Sequence, residues 1–166
     1  MEGLMYFWKT KKLEAELRNG SLSQSDRYNY LMAFMIIVAI CTEISLYIPE
    51  TLSFISLFGS SFVVLITIIG TMFCYKVNRQ GDNTDFIGRY ICLFLPVTVR
   101  LIVFYILIYA LYMILGTILL GYAFEKFTDS TNWIDVIFAI GLELIFYWKL
   151  SVSIRRVAMS GTDNDL

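Results

Sequence analysis

A chain of 166 residues that is 58% hydrophobic and only 16% charged is too apolar for an ordinary soluble domain. Its 13 Lys and Arg nearly balance 14 Asp and Glu, and they sit along apolar flanks without a recognition module, which argues against a nucleic-acid partner. There is no histidine, so the commonest general base and metal ligand is missing.

The apolar residues gather into runs of about twenty or more, the length that crosses a hydrocarbon core of roughly 30 Å. With no water in that core, each run must satisfy its own backbone, and helix does so. Barrel strands would alternate polar and apolar residues, and these runs do not. The expected fold class is an all-α integral membrane protein: a four-transmembrane-helix bundle with short amphipathic interfacial helices before spans 1 and 3.

Residues 1–27 read as a cytoplasmic amphipathic segment. Leu13 and Leu17 lie four apart on one helical face, among Glu14, Glu16 and Arg18. Asn19-Gly20 stops that helix, and Trp8 with Lys9, Lys11 and Lys12 would anchor it at the headgroups. No cleavable signal peptide is expected, because the first long apolar run starts only near Tyr28 and lacks a small-x-small cleavage site.

A membrane domain is expected over residues 28–152. Ser23 and Asp26 have the spacing of a capping box, and span 1 follows over 28–48. Pro49-Glu50 turns the chain into span 2, over 52–75, and so short a turn predicts an antiparallel hairpin. Lys76 to Asp85 is a polar loop that includes Arg79 and Asp82. The apolar run from Phe86 to Phe124 is too long for one span. Pro96 marks the expected break, leaving an interfacial or re-entrant helix over 85–95, capped by Thr84, and span 3 over 97–122. Glu125 to Asn132 forms an outer loop, and span 4 covers 133–150. Residues 153–166 are a polar cytoplasmic tail.

Orientation follows from the basic residues. Of the 13 Lys and Arg, all but Lys126 fall on one side of this arrangement. The positive-inside rule then puts both termini and the middle loop in the cytoplasm, as expected for a multi-pass protein of a bacterial inner membrane.

Glu43, Arg100 and Glu143 fall inside predicted spans, where a charge costs on the order of 2.5–3.5 kcal/mol. Arg100 and Glu143 come to similar depth and could pair; alternatively Arg100 snorkels to the headgroups. Glu43 could be protonated or face a polar groove with Thr42 and Ser45. Arg79, Asp82, Asp85 and Arg89 are candidate cytoplasmic contacts, within reach of a lipid phosphate.

Enzyme classes find little support. The cysteines, Cys41, Cys74 and Cys92, form no Cys-x-x-Cys pair and read as small apolar packers. Histidine-dependent metalloenzymes are excluded, and a serine nucleophile would lack its base. No cofactor is expected. The reading is a structural or interaction subunit without catalytic activity, partnered by the bilayer, its anionic cytoplasmic lipids, and itself or another membrane protein. The alternative is a small oligomeric channel or transporter that uses the intramembrane carboxylates.

Overall fold

A computed structural model describes residues 6, 9–46, 53–120 and 133–159. Five helices account for nearly all of them: α1 (Thr10–Arg18), α2 (Gln24–Leu46), α3 (Phe54–Gln80), α4 (Phe86–Leu120) and α5 (Trp133–Ala158). No strand occurs among the described residues. The turn at Pro49-Glu50, the loop 125–132, Trp8 and residues 160–166 of the expected tail lie outside them, whereas its start at 153–158 belongs to α5, with Ile154 and Val157 buried. Three helices are long and apolar enough to cross a membrane: α3, α4 over Phe86–Ile118, and α5 over Val136–Ala158.

The helix starts are built as their sequences dictate. The Ser23 hydroxyl accepts from the Asp26 N–H at 3.1 Å, and the Asp26 carboxylate accepts from the Ser23 N–H at 3.2 Å. These reciprocal bonds satisfy two amides that the helix leaves unpaired. Ser53 and Ser56 form a second capping box at α3. At α4 the cap is Asp85, whose carboxylate accepts from the Gly88 N–H at 3.2 Å, and not the expected Thr84.

Contacts between helices give their directions. Along α3 and α5, Gly59 meets Val136, Thr67 meets Glu143, Gly70 meets Tyr147 and Gly81 meets Ala158. Both numbers rise together, so these helices are parallel. Phe94 packs on Phe146 and Tyr105 on Phe138, so α4 runs antiparallel to α5. Arg27 pairs with Asp85 and Phe34 packs on Phe94, which makes α2 parallel to α4. The starts of α2 and α4 and the ends of α3 and α5 therefore share one end of the molecule. It carries most of the basic residues and is called the basic end below.

Two expectations need correction. The first is the break at Pro96. Phe86 to Leu120 is one helix of 35 residues with Pro96 inside it. Proline removes one hydrogen bond, but the bonds on either side persist, and its fixed φ suits a helix. Pro96 is also almost fully buried, beside Leu93, Leu95 and Val97, so packing holds the segment straight through. The second is the packing of spans 1 and 2, which run antiparallel as expected but are not packed as a pair. α2 and α3 share no packed interface; α3 lies on α5, α5 on α4, and α4 on α2. The chain from Leu46 to Phe54 has ample reach to join helices that are not packed on each other.

The core is concentrated at the basic end. Leu13 and Leu17 of α1 are buried there with Tyr30, Cys74, Val77, Cys92, Leu93, Leu150, Ile154 and Val157. The apolar face of α1 thus packs on protein, across α4 and α5. Tyr30 secures the entry to α1, since its hydroxyl accepts from the Tyr6 N–H at 2.8 Å.

At Gly70, α3 comes very close to α5. A Cβ built there would lie 2.2 Å from Cγ of the Tyr147 ring, whereas one on Gly141 would meet nothing within 4 Å. We expect Gly70→Ala to destabilise the protein by about 1–3 kcal/mol through overpacking. Gly141→Ala should be neutral or stabilising by up to about 1 kcal/mol. Thermal unfolding of both variants in detergent checks the pair, and equal melting temperatures would contradict the close approach.

Candidate functional site

Because α2 and α3 are not packed on each other, a groove of about 600 Å³ remains, with α4 and α5 as its floor. Phe34 of α2 and Thr67 of α3 stand on its two walls. The floor presents Tyr90, Phe94, Thr98 and Tyr105 from α4, and Glu143, Phe146 and Tyr147 from α5. It is an aromatic-lined trough with one carboxylate.

Glu143 is half-buried, and one of its oxygens accepts from the Thr67 hydroxyl at 3.0 Å. Toward the basic end, the hydroxyls of Thr71, Tyr90 and Tyr147 lie 3.4–3.5 Å from one another. Thr98 adds a buried hydroxyl oxygen without a partner at the groove wall. Polar atoms thus line an otherwise apolar trough, the usual composition of a small-molecule site. Thr67 and Thr71 lie one helical turn apart, and in the sequence they read only as fragments of a polar stripe. Tyr90 and Tyr147 resemble ordinary interfacial aromatics until the fold turns both hydroxyls onto Thr71.

The intramembrane charges are not brought together. Arg27–Asp85, Arg89–Asp82 and Arg156–Glu14 form ion pairs, whereas no salt bridge joins Arg100 to Glu143. Thr67 occupies the Glu143 carboxylate instead. Glu43 is exposed on α2 and is not part of the groove.

The cytoplasmic candidates divide. Arg79 is exposed at the end of α3. Arg89 is only 4% exposed and binds Asp82 through two guanidinium nitrogens, each 2.5 Å from a carboxylate oxygen. It also donates to Asn78 Oδ1 at 2.9 Å, and the Asn78 side-chain amide donates to the Thr84 carbonyl at 3.2 Å. Asn78 is 1% exposed and read in the sequence as one more polar loop residue. Asp85 pairs with Arg27, tying α2 to the start of α4. Arg89, Asp82, Asn78 and Asp85 thus close the α3–α4 turn through bonds within the protein.

The Arg89 guanidinium holds the Asp82 carboxyl down at about 2, from an ordinary 3.8. A depressed acid stabilises the folded state fully above its unfolded pKa and loses that contribution as pH falls through the folded value. Stability should therefore drop as pH falls from about 4 to about 2. Asp82→Asn should be less stable at pH 6 and lose most of this slope. Melting curves across that range provide the check; a parallel slope in the variant would remove Asp82 as the cause.

Comparison of the chain with protein-family models, curated proteins and solved structures found no match.

Proposed function

We propose that this chain is a membrane-embedded interaction subunit with four spans, α2 to α5, that acts by binding and carries no chemistry of its own. The observation behind this reading is the far half of α4. Ile102, Val103, Phe104, Tyr105, Ile106 and Leu107 are all exposed, and so are Leu111, Ile114, Leu115 and Ile118. Consecutive exposed apolar residues cover every direction around a helix, so among the described residues little beyond Phe138, which meets Tyr105, packs on that segment. α2 and α3 also leave the bundle open on one side. A bilayer can cover such surfaces, and so can a second membrane protein or another copy of this chain.

The alternating helix directions support four crossings, since α2 and α4 run one way and α3 and α5 the other. The collection of Lys11, Arg18, Arg27, Arg89, Arg155 and Arg156 at one end supports placing that end and both termini in the cytoplasm of a bacterial cell. α5 supplies a length check: Trp133 and Arg155 are separated by about 33 Å of helix, close to one hydrocarbon thickness.

The test is association in the membrane. A single cysteine at Leu111, with Cys41, Cys74 and Cys92 replaced by alanine, should form a disulfide-linked dimer, or a cross-link to a co-purifying membrane protein. A chain that stays monomeric and uncross-linked in native lipid would contradict the interaction reading.

A second reading, a small ion or solute conduit, has one specific observation in its favour: Glu143 lines the groove with Thr67 at hand. Liposome flux would be its signature. Glu143→Gln should then abolish that flux, while Glu43→Gln, outside the groove, should leave it unchanged.

A further inference from the structure

A second cleft, of about 440 Å³, opens at the basic end between α1 and the last turn of α5. Its lining is Lys11, Glu14, Ala15, Arg18, Arg155, Arg156 and Met159. Four cations thus share one cleft with a single carboxylate. They come from opposite ends of the sequence, so helix flanking alone does not explain their meeting. Burial of Leu13 and Leu17 against the α4–α5 end brings the two helices together, with Ile154 and Val157 buried in the same core. Lys11 and Arg18 are seven residues apart, two helical turns, and so lie on one side of α1.

Among the described residues of the lining, the one carboxylate is Glu14, and it is only partly engaged. Glu14 is 8% exposed, and one of its oxygens stands 3.7 Å from an Arg156 guanidinium nitrogen. Its other oxygen is buried and accepts no hydrogen bond. Arg155 donates to the thioether sulfur of Met159 at 3.3 Å, a weak acceptor for so strong a donor. Crowded cations repel unless an anion joins them, and guanidinium groups match phosphate oxygens in geometry and charge. The spare Glu14 oxygen would accept from a hydroxyl or amine on the same ligand.

We infer that this cleft binds a phosphate anion, held by Lys11, Arg155 and Arg156, with Glu14 receiving a donor group carried by the ligand. Two sources share this chemistry: the headgroup of an anionic phospholipid, and a small soluble phosphoester. The lipid source rests on the membrane reading above, because only then does the cleft lie at headgroup level. The soluble source does not depend on it.

The experiment titrates the detergent-solubilised full chain with three probes: short-chain phosphatidylglycerol, short-chain phosphatidylcholine and glycerol phosphate. Binding is read by native mass spectrometry and by thermal shift. Phosphatidylglycerol should bind and phosphatidylcholine should bind far more weakly. The double variant Arg155→Gln/Arg156→Gln should raise the dissociation constant about ten-fold or more, and Arg155→Lys/Arg156→Lys should restore part of it. Lys149→Gln, an exposed cation of α5 outside the cleft, should stay within about two-fold of the parent. Binding of glycerol phosphate as tight as that of the lipid, with the same loss in the double glutamine variant, would support the site and assign its source as soluble. Equal binding of phosphatidylglycerol by the parent and the double glutamine variant overturns the proposal. So does equal loss with Lys149→Gln, which would reduce the effect to overall charge. Should the double variant fail to fold, Lys11→Gln on α1 carries the same test, with at least a several-fold weakening expected and no change in affinity counting against the site.

Discussion

A guanidinium taken out of water must find its hydrogen bonds inside the protein, and Arg89 does so at the one place where α3 hands over to α4. Removing one partner from such a group costs far more than the pair contributes in a balanced state. Asp82 and Asn78 are therefore bound to their positions by Arg89 as much as they hold it. That requirement shapes the turn: Asn83 takes a positive φ of 54°, and the Asp82 N–H donates to the carbonyl of Ala158 at 3.1 Å. Through that last bond the end of α5 is tied to the same turn. A Cβ on Gly81 would fall 2.5 Å from the Ala158 carbonyl oxygen, so only glycine admits this approach.

The rest of the architecture follows from where the packing stops. Near the turn, four helices and α1 share a closed core, and Arg27 adds α2 to it through Asp85. Away from it, α5 stands between α3 and α4, and α2 reaches only α4. The groove is what such a row leaves between its outer members. Its carboxylate is tolerable because Thr67, on the facing wall, supplies a hydroxyl where water would otherwise be needed.

Much of this was legible in the chain. Long apolar runs announce helices, Ser23 and Asp26 announce the start of α2, and the lopsided Lys and Arg gather at one end of the fold. The misreadings have specific causes. Pro96 signals a break when only local bonding is weighed, and the burial around it overrides that signal. Pro49-Glu50 suggests a hairpin, yet a linker constrains only the maximum separation of two helices and cannot make them touch. Arg100 and Glu143 share a depth that allows either a pair or a snorkelling arginine, and depth alone does not choose a partner, which depends on rotation about each helix axis. For Glu143 that rotation points to α3. The cleft beside Glu14 depends on α1 folding back over α5, a contact between residues about 140 positions apart that no local pattern encodes.

The continuity of α4 has a mechanical meaning. A rod of 35 residues is about 52 Å long, and it is gripped most closely near its start, by Arg89, Asp85 and the residues around Pro96, with Tyr105 on Phe138 further along. Held like an oar in its rowlock, it carries small rotations outward: a tilt of about 5° at the grip sweeps the far end, about 36 Å beyond Pro96, through roughly 3 Å. A hinge at Pro96 would have absorbed such a rotation. An unbroken helix instead delivers it to the opposite face of the molecule, so that any event altering the salt-bridged turn is felt where the apolar surface meets its neighbours.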